Sequence, residues 1–180
     1  MKLMMAEDKD YPMIKKLYKK SFPLNERAPF FIVKKKTITG KAEMLIAKEN
    51  DQFIGFFYIV CNENLVYLFY FAVNDTQRGK GYGSKMLQML KERYSGKNIF
   101  LAREQLDIKA DNYDERIKRR NFYIRNGFKD TNLLIKEASV IYDVMALNDD
   151  ISAIGYEILI DKWRGKFIKT FVDMKVIEKK

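Results

Sequence analysis

Histidine is absent from the 180 residues, and that absence narrows the chemistry more than any residue present. It removes the usual general base and the commonest metal ligand. A Ser-His-Asp triad and a His-based zinc site are excluded with it, and no metal is expected. Cysteine occurs once, as Cys61, so no internal disulfide can form and a reducing cytoplasm is the expected compartment. Proline occurs three times, and Pro23 and Pro29 both fall in the stretch FPLNERAPF (22–30). No apolar run approaches the roughly 20 residues that span a bilayer. None has the charged-then-apolar form of a leader either, so no membrane partner is expected. Repeats, low-complexity tracts and linkers are lacking, and the length argues for one domain.

What the chain has in excess is positive charge. Lysine and arginine total 34 against 24 acids, a net charge of +10. That balance favours acidic partners such as nucleic acid, phosphorylated cofactors or anionic surfaces. Nucleic acid is the less favoured of these. The aromatic residues follow strand and core periodicity and do not interleave with cations in one patch.

The pattern along the chain alternates between the two periodicities. A short strand over 1–6 is followed by a helix over 10–21, with Asp10 as candidate cap and Tyr11, Ile14, Leu17 and Tyr18 on one apolar face. The proline-flanked stretch 22–30 reads as a loop entering a short helix. Three strand-like runs follow, 42–48, 52–61 and 65–73, separated by the turn-like Glu49-Asn50-Asp51 and Asn62-Glu63-Asn64 and read as an antiparallel meander. Next comes a helix with Met86, Leu87, Leu90 and Tyr94 on one side, closed by Gly96. A strand over 98–102, a helix over 114–126 closed by Gly127, and strands over 133–135 and 140–146 complete the pattern. Asp149-Asp150 is a candidate cap for a last helix, beyond which Trp163, Phe167 and Phe171 form an aromatic tail, read as a packing element or a homodimer contact. The expected fold class is therefore mixed α/β or α+β.

At the junction of the third strand of the meander and its following helix stands QRGKGYGS (77–84). A helix start leaves backbone N–H groups unpaired and carries partial positive charge, so it suits phosphate. Glycines let the backbone curl and let an anion approach. Arg78 and Lys80 add charge, and Ser84 adds a hydroxyl donor. The spacing fits neither a Walker A loop nor the dinucleotide fingerprint G-x-G-x-x-G.

The run Arg78-x-x-Gly81-x-Gly83 matches [QR]-x-x-G-x-[GA], the pyrophosphate loop of the GNAT family of acyl-CoA-dependent N-acyltransferases. Downstream, Phe122-Tyr123-Ile124-Arg125-Asn126-Gly127-Phe128 looks like that family's F-Y-x-x-x-G-F signature. The chain thus resembles the GNAT family in two ordered motifs and in element order over about residues 1–147. The resemblance implies a largely antiparallel sheet flanked by helices, with 1–147 as the acetyltransferase domain and 148–180 as a C-terminal helical extension packed on it. It implies acetyl-CoA as co-substrate and an amine as acceptor. Pantetheine would lie in a gap between the fourth and fifth strands, pairing with the backbone of Phe71, Ala72 and Val73 as an added strand does. Pyrophosphate would lie on Arg78, Gly79, Lys80, Gly81, Tyr82, Gly83 and Ser84.

Acyl transfer to an amine requires loss of an amine proton, stabilisation of the thioester oxyanion and departure of a thiolate. By resemblance, Tyr123 occupies the position of the acid that assists the thiolate. Many relatives carry a glutamate on the fourth strand, near Phe69 here, but this chain has Tyr67, Leu68, Phe69 and Tyr70. Glu26 and Glu104 are the remaining candidate bases, with ordered water as a third route. Arg116, Lys118, Arg119 and Arg120 read either as a solvated helix face or as an attractor for the CoA 3′-phosphate or an acidic acceptor. The enzyme reading leads. A catalytically inactive acyl-CoA-binding module is the alternative, and the missing strand glutamate is what favours it.

Overall fold

The computed structural model describes residues 1–137, 140–148, 151–169 and 174–178. The cap expected at Asp149-Asp150, and Phe171, lie outside the described residues. The elements run β1 (Lys2–Met5), α1 (Tyr11–Ser21), α2 (Phe30–Ile38), β2 (Glu43–Glu49), β3 (Gln52–Cys61), β4 (Leu65–Val73), α3 (Tyr82–Arg93), β5 (Asn98–Glu104), α4 (Tyr113–Arg125), β6 (Lys129–Glu137), β7 (Val140–Ala146), α5 (Ala153–Lys169) and β8 (Met174–Glu178). The strands hydrogen-bond in the order β1-β2-β3-β4-β5-β7-β6-β8. Only the β4–β5 pairing is parallel among the registers described, so this is a mixed α/β fold on one mostly antiparallel sheet flanked by helices.

The chain divides into two compact units, one of residues 1–60 and 68–95, the other of residues 61–67 and 96–180. In the first, β3 is buried from Ile54 to Val60 without alternation, so both of its faces are covered. That is why its sequence, FIGFFYIV, reads as one apolar run. Tyr18 of α1 lies 6.4 Å from Phe56 between ring centroids, while Met86 of α3 approaches Gly55. Alternate residues of β3 therefore meet different helices.

Gly55 is dictated by space. A Cβ built there would stand 2.3 Å from the Ala72 carbonyl oxygen and 3.1 Å from the Val73 Cα, both backbone atoms. A glycine inside a strand marks such a close approach, and here it seats the end of β4 that precedes the glycine loop.

In the second unit, Tyr67 stacks on Phe100 at 4.8 Å and 5°, and Tyr156 of α5 meets both rings edge-on. The parallel β4–β5 register covers Leu65↔Asn98, Val66↔Ile99 and Tyr67↔Phe100. The segment after β7 holds a strand as well as a helix: β8 pairs with β6 from Leu133↔Glu178 to Glu137↔Met174. The sequence MKVIE shows no turn signal between it and the helix, which is why only a helical extension was legible.

Asp10 does not cap α1 with its side chain. It accepts the Glu7 N–H at 2.9 Å and pairs with Lys48 at 2.7 Å. Burial works against its charge, but the Lys48 and Glu7 hydrogen bonds outweigh it and hold the carboxyl below its ordinary value.

Gly55→Ala should lower the stability of the protein by roughly 2–4 kcal/mol, because the obstructing atoms are backbone and cannot swing aside. Gly40→Ala, where a Cβ meets nothing within 4 Å but φ is +68°, should cost only about 1 kcal/mol. Urea unfolding of the two variants checks the ranking, and equal losses would refute it.

Candidate functional site

The glycine loop starts at a 3-10 turn, Asp75–Gln77, directly after β4. Asp75 accepts an ion pair from Lys20 at the end of α1 and another from Arg78 at 2.9 Å. The Lys20 hydrogen bond is the larger influence and holds the Asp75 carboxyl below its usual range. Arg78 also donates from Nε to the Val73 carbonyl at 3.3 Å. The motif's first residue thereby links the end of β4 to the loop. Lys80 Nζ donates to Gln77 Oε1 at 3.3 Å.

Gly79 and Gly81 have φ of +75° and +78°. Side chains rarely adopt that conformation, and both positions are otherwise open, so backbone geometry alone requires glycine there. Gly81 is the N-cap of α3 and no side chain caps the helix. Its first backbone bond runs from the Lys85 N–H to the Gly81 carbonyl at 3.2 Å. The N–H groups of Tyr82, Gly83 and Ser84 are therefore left without helical acceptors at the positive end of the helix dipole. A helix start left in this form can accept an anion.

Glu26, in the same unit, closes a 3-10 turn over Leu24–Glu26, its N–H donating to the Pro23 carbonyl at 3.1 Å. The loop around it is fixed by groups the sequence reading missed. Tyr18 Oη donates to the Ala28 carbonyl at 2.8 Å, and the Ala28 N–H donates to Tyr70 Oη at 3.0 Å. Arg27 Nη1 donates to the carbonyls of Lys19 and Phe22 at 2.5 and 2.8 Å. Tyr18 and Tyr70 meet edge-to-face at 4.9 Å, inside a cluster with Phe22. Burial pushes the Tyr18 phenol up to about 12, so it stays protonated and remains a donor at neutral pH. The signal for this clamp was available as tyrosines on apolar faces, since a buried hydroxyl requires a partner.

Tyr123 and Glu104 belong to the other unit. Glu104 is buried at the end of β5 and accepts from Asn112 Nδ2 at 3.1 Å, Arg116 Nη2 at 2.9 Å and Arg119 Nη1 at 2.6 Å. Arg116 also donates to the Gln105 carbonyl at 2.7 Å. Arg120 pairs with Asp130 at 2.5 Å, and the buried Arg103 bridges Asp130 and Asp143 at 2.8 and 3.1 Å. Three members of the basic cluster on α4 thus carry ion pairs, Arg116 and Arg119 to the buried Glu104 and Arg120 to Asp130, while Arg119 and Asp130 stay exposed as on a solvated face. Charge periodicity could not show this, because the partners lie on β5 and β6.

Tyr123 is the buried residue of α4 and packs edge-on against Phe122 and Phe128. Burial raises its phenol to about 12, with the Arg119 charge opposing. Arg119 therefore acts on both Tyr123 and Glu104. Beside Glu104, an open groove of about 570 Å³ is lined by Gln105, Leu106, Asp107, Ile108, Tyr113 and Asp143. No group of His, Cys, Asp or Glu among the described residues could hold a metal ion. No helix among them is long and apolar enough to cross a membrane.

Comparison with known proteins agrees with this geometry. Residues 40–130 match the family model of the acetyltransferase (GNAT) domain. No curated protein matches the chain. A protein from Bacteroides thetaiotaomicron assigned to the GNAT family superposes with a TM-score of 0.73 at 24% identity, covering 91% of this chain and 96% of that one. An aminoglycoside 6′-N-acetyltransferase solved with coenzyme A gives 0.62 at 15%, covering 84% and 100%. YncA from Salmonella typhimurium, solved with acetyl-CoA, gives 0.59 at 16%, covering 84% and 96%. The family model spans half of the sequence, and it includes both β4 and the uncapped helix that follows. The chain belongs to the GNAT acetyltransferase family.

Proposed function

We propose that the protein transfers an acetyl group from acetyl-CoA to a primary amine by direct attack in a ternary complex, with residues 1–147 as the acetyltransferase domain and 148–180 as its extension. The observation that carries this reading is the uncapped head of α3, with left-handed Gly79 and Gly81 before it. Arg78 to Ser84 would hold the pyrophosphate. Phe71, Ala72 and Val73 would offer backbone to pantetheine, and they lie outside the three-pair register of β4 with β5.

Tyr123 assists the departing thiolate. A phenol near 12 is a weaker acid than a thiol near 8.5. It therefore cannot give up its proton outright to sulfur. Its contribution is a hydrogen bond to the developing thiolate, while the ammonium formed on the acceptor supplies the net proton.

Glu26 is the preferred base over Glu104. Three donors already occupy the Glu104 oxygens, two of them guanidinium groups. For Glu104 to take a proton, an ion pair would have to break. For the acceptor, the groove at Leu106, Ile108 and Tyr113, with the Asp107 carboxylate on its lining, suits an amine attached to an apolar body. The inactive-module reading keeps one observation in its favour, that Glu104 is committed to structure.

Gly83→Val should weaken CoA binding at least tenfold, about 1.4 kcal/mol, with the fold intact. Calorimetry measures it, and unchanged affinity would remove the loop from the site. Tyr123→Phe should lower kcat by roughly 10²-fold. Because the wild-type phenol stays protonated up to about pH 12, no basic limb from Tyr123 should appear between pH 7 and 10. A kcat within a factor of two of wild type in single-turnover assays would make Tyr123 a packing residue. Glu26→Gln should lower kcat/KM for amines about tenfold or more while CoA affinity holds. If Glu26→Gln is fully active and Glu104→Gln is dead, the base is Glu104. Absence of thiol release with any amine, alongside CoA binding, would favour the inactive module.

A further inference from the structure

Glu49 ends β2, and the two residues after it, Asn50 and Asp51, have φ of 49° and 60°. Two consecutive positive φ values are the requirement of a tight two-residue hairpin turn, and Glu49 pairs with Gln52 across it. The hairpin end is therefore a fixed point. From it, the Glu49 carboxylate accepts the phenolic O–H of Tyr82. Tyr82 is the first residue of α3, directly after the left-handed Gly81. Both residues lie in the same compact unit as the loop.

The bond is charge-assisted and belongs to the stronger class. The titration directions agree with the geometry. The Tyr82 hydrogen bond holds the Glu49 carboxyl low, and the bond to Glu49 raises the Tyr82 phenol. Lys85, one turn into α3, places its ammonium 5.4 Å from the Tyr82 ring centroid and also acts on Glu49. With its hydroxyl taken, Tyr82 has only its backbone N–H to give an anion.

We propose that Glu49 and Tyr82 are positioning residues that latch the first turn of α3 to the β2–β3 hairpin and so preorganise the CoA pyrophosphate site. The inference rests on the CoA site proposed above. The physical need is specific to this loop. Glycine loses more backbone freedom on ordering than any other residue, the loop has two of them in left-handed geometry, and no side chain caps the helix. A ligand that had to order such a loop itself would lose affinity by that cost. On the other side of the loop, Asp75 with Lys20 and Arg78 anchors the chain. Glu49 and Tyr82 complete the pair of anchors. Neither carboxylate could itself meet a phosphate, so each acts through a neighbour.

The test is a double-mutant cycle read by CoA calorimetry, with Tm measured in parallel. Tyr82→Phe and Glu49→Ala should each raise the CoA Kd about fivefold. The double variant should stay near fivefold, because both changes remove the bond from Tyr82 to Glu49 Oε2, the Met1 ammonium meeting Glu49 through Oε1 at 3.4 Å. Glu49→Gln keeps an acceptor oxygen and should remain within twofold of wild type. An additive double variant, about 25-fold, would overturn the latch. So would variants that melt earlier yet bind CoA as wild type does, since that is a structural role only. A wild-type chain that binds no CoA would overturn the site reading, and the latch with it.

Discussion

The head of α3 is a helix start without a side-chain cap, and the rest of the proposed chemistry depends on that one deficit. A helix N-terminus is ordinarily satisfied by Ser, Thr, Asp or Asn, at a value of about 1 kcal/mol. Here the N-cap is Gly81, which offers nothing. Tyr82, Gly83 and Ser84 keep their N–H groups available to an outside acceptor, and the left-handed geometry at Gly79 and Gly81 turns the chain sharply enough to expose them. The net charge of +10 draws anions from a distance. It cannot place one, because exposed charges are screened beyond about 10 Å at 0.1 M salt. Under the proposed reading placement belongs to the backbone, which Asp75 and Glu49 flank with bonds to Lys20, Arg78 and Tyr82.

Where a signal was local, the sequence was enough. β7 appears over Val140–Ala146 as its apolar pattern predicts, and α3 and α4 end at Arg93 and Arg125, shortly before Gly96 and Gly127. The strand–helix junction at residues 77–84 was legible because a turn that needs left-handed backbone, here at Gly79 and Gly81, leaves glycines in the sequence. What could not be read was pairing across distance. Arg116, Arg119 and Arg120 looked like a solvated face because nothing in α4 names Glu104 or Asp130 as partners. The start of β6 at Lys129 rather than Leu133 rests on its ladder with β7, not on its own polar first residues. Gly55 had a readable sign, a glycine amid FIGFFY, but what crowds it is the backbone of another strand.

The tyrosines divide by what their hydroxyls do. Tyr18 and Tyr70 spend theirs on the peptide of Ala28, fixing the loop that carries Glu26. Tyr82 spends its own on Glu49. Tyr123 differs: its ring packs edge-on against Phe122 and Phe128, burial pushes the phenol up to about 12 and keeps it protonated, and under the proposed reaction its O–H goes to the departing sulfur.

The absence of histidine then decides how hard deprotonation of the acceptor is under the proposed reaction. A carboxylate near 4 is a weak base towards any ammonium. The acceptor's own basicity therefore sets most of the cost. At a pH of about 7.4 an α-amine near 7.8 is roughly three parts in ten neutral, whereas a lysine-type amine near 10.4 is neutral only about one part in a thousand. At 1.36 kcal/mol per unit, the difference is roughly 3.5 kcal/mol. Glu26 or a water chain must supply that amount for a strongly basic acceptor and almost none of it for a weakly basic one. A site with no imidazole, and with Glu104 held by two guanidinium groups, is matched most economically to the second kind. The missing strand glutamate, which argues for an inactive module when the acceptor is a strong base, loses its force when the acceptor arrives already neutral.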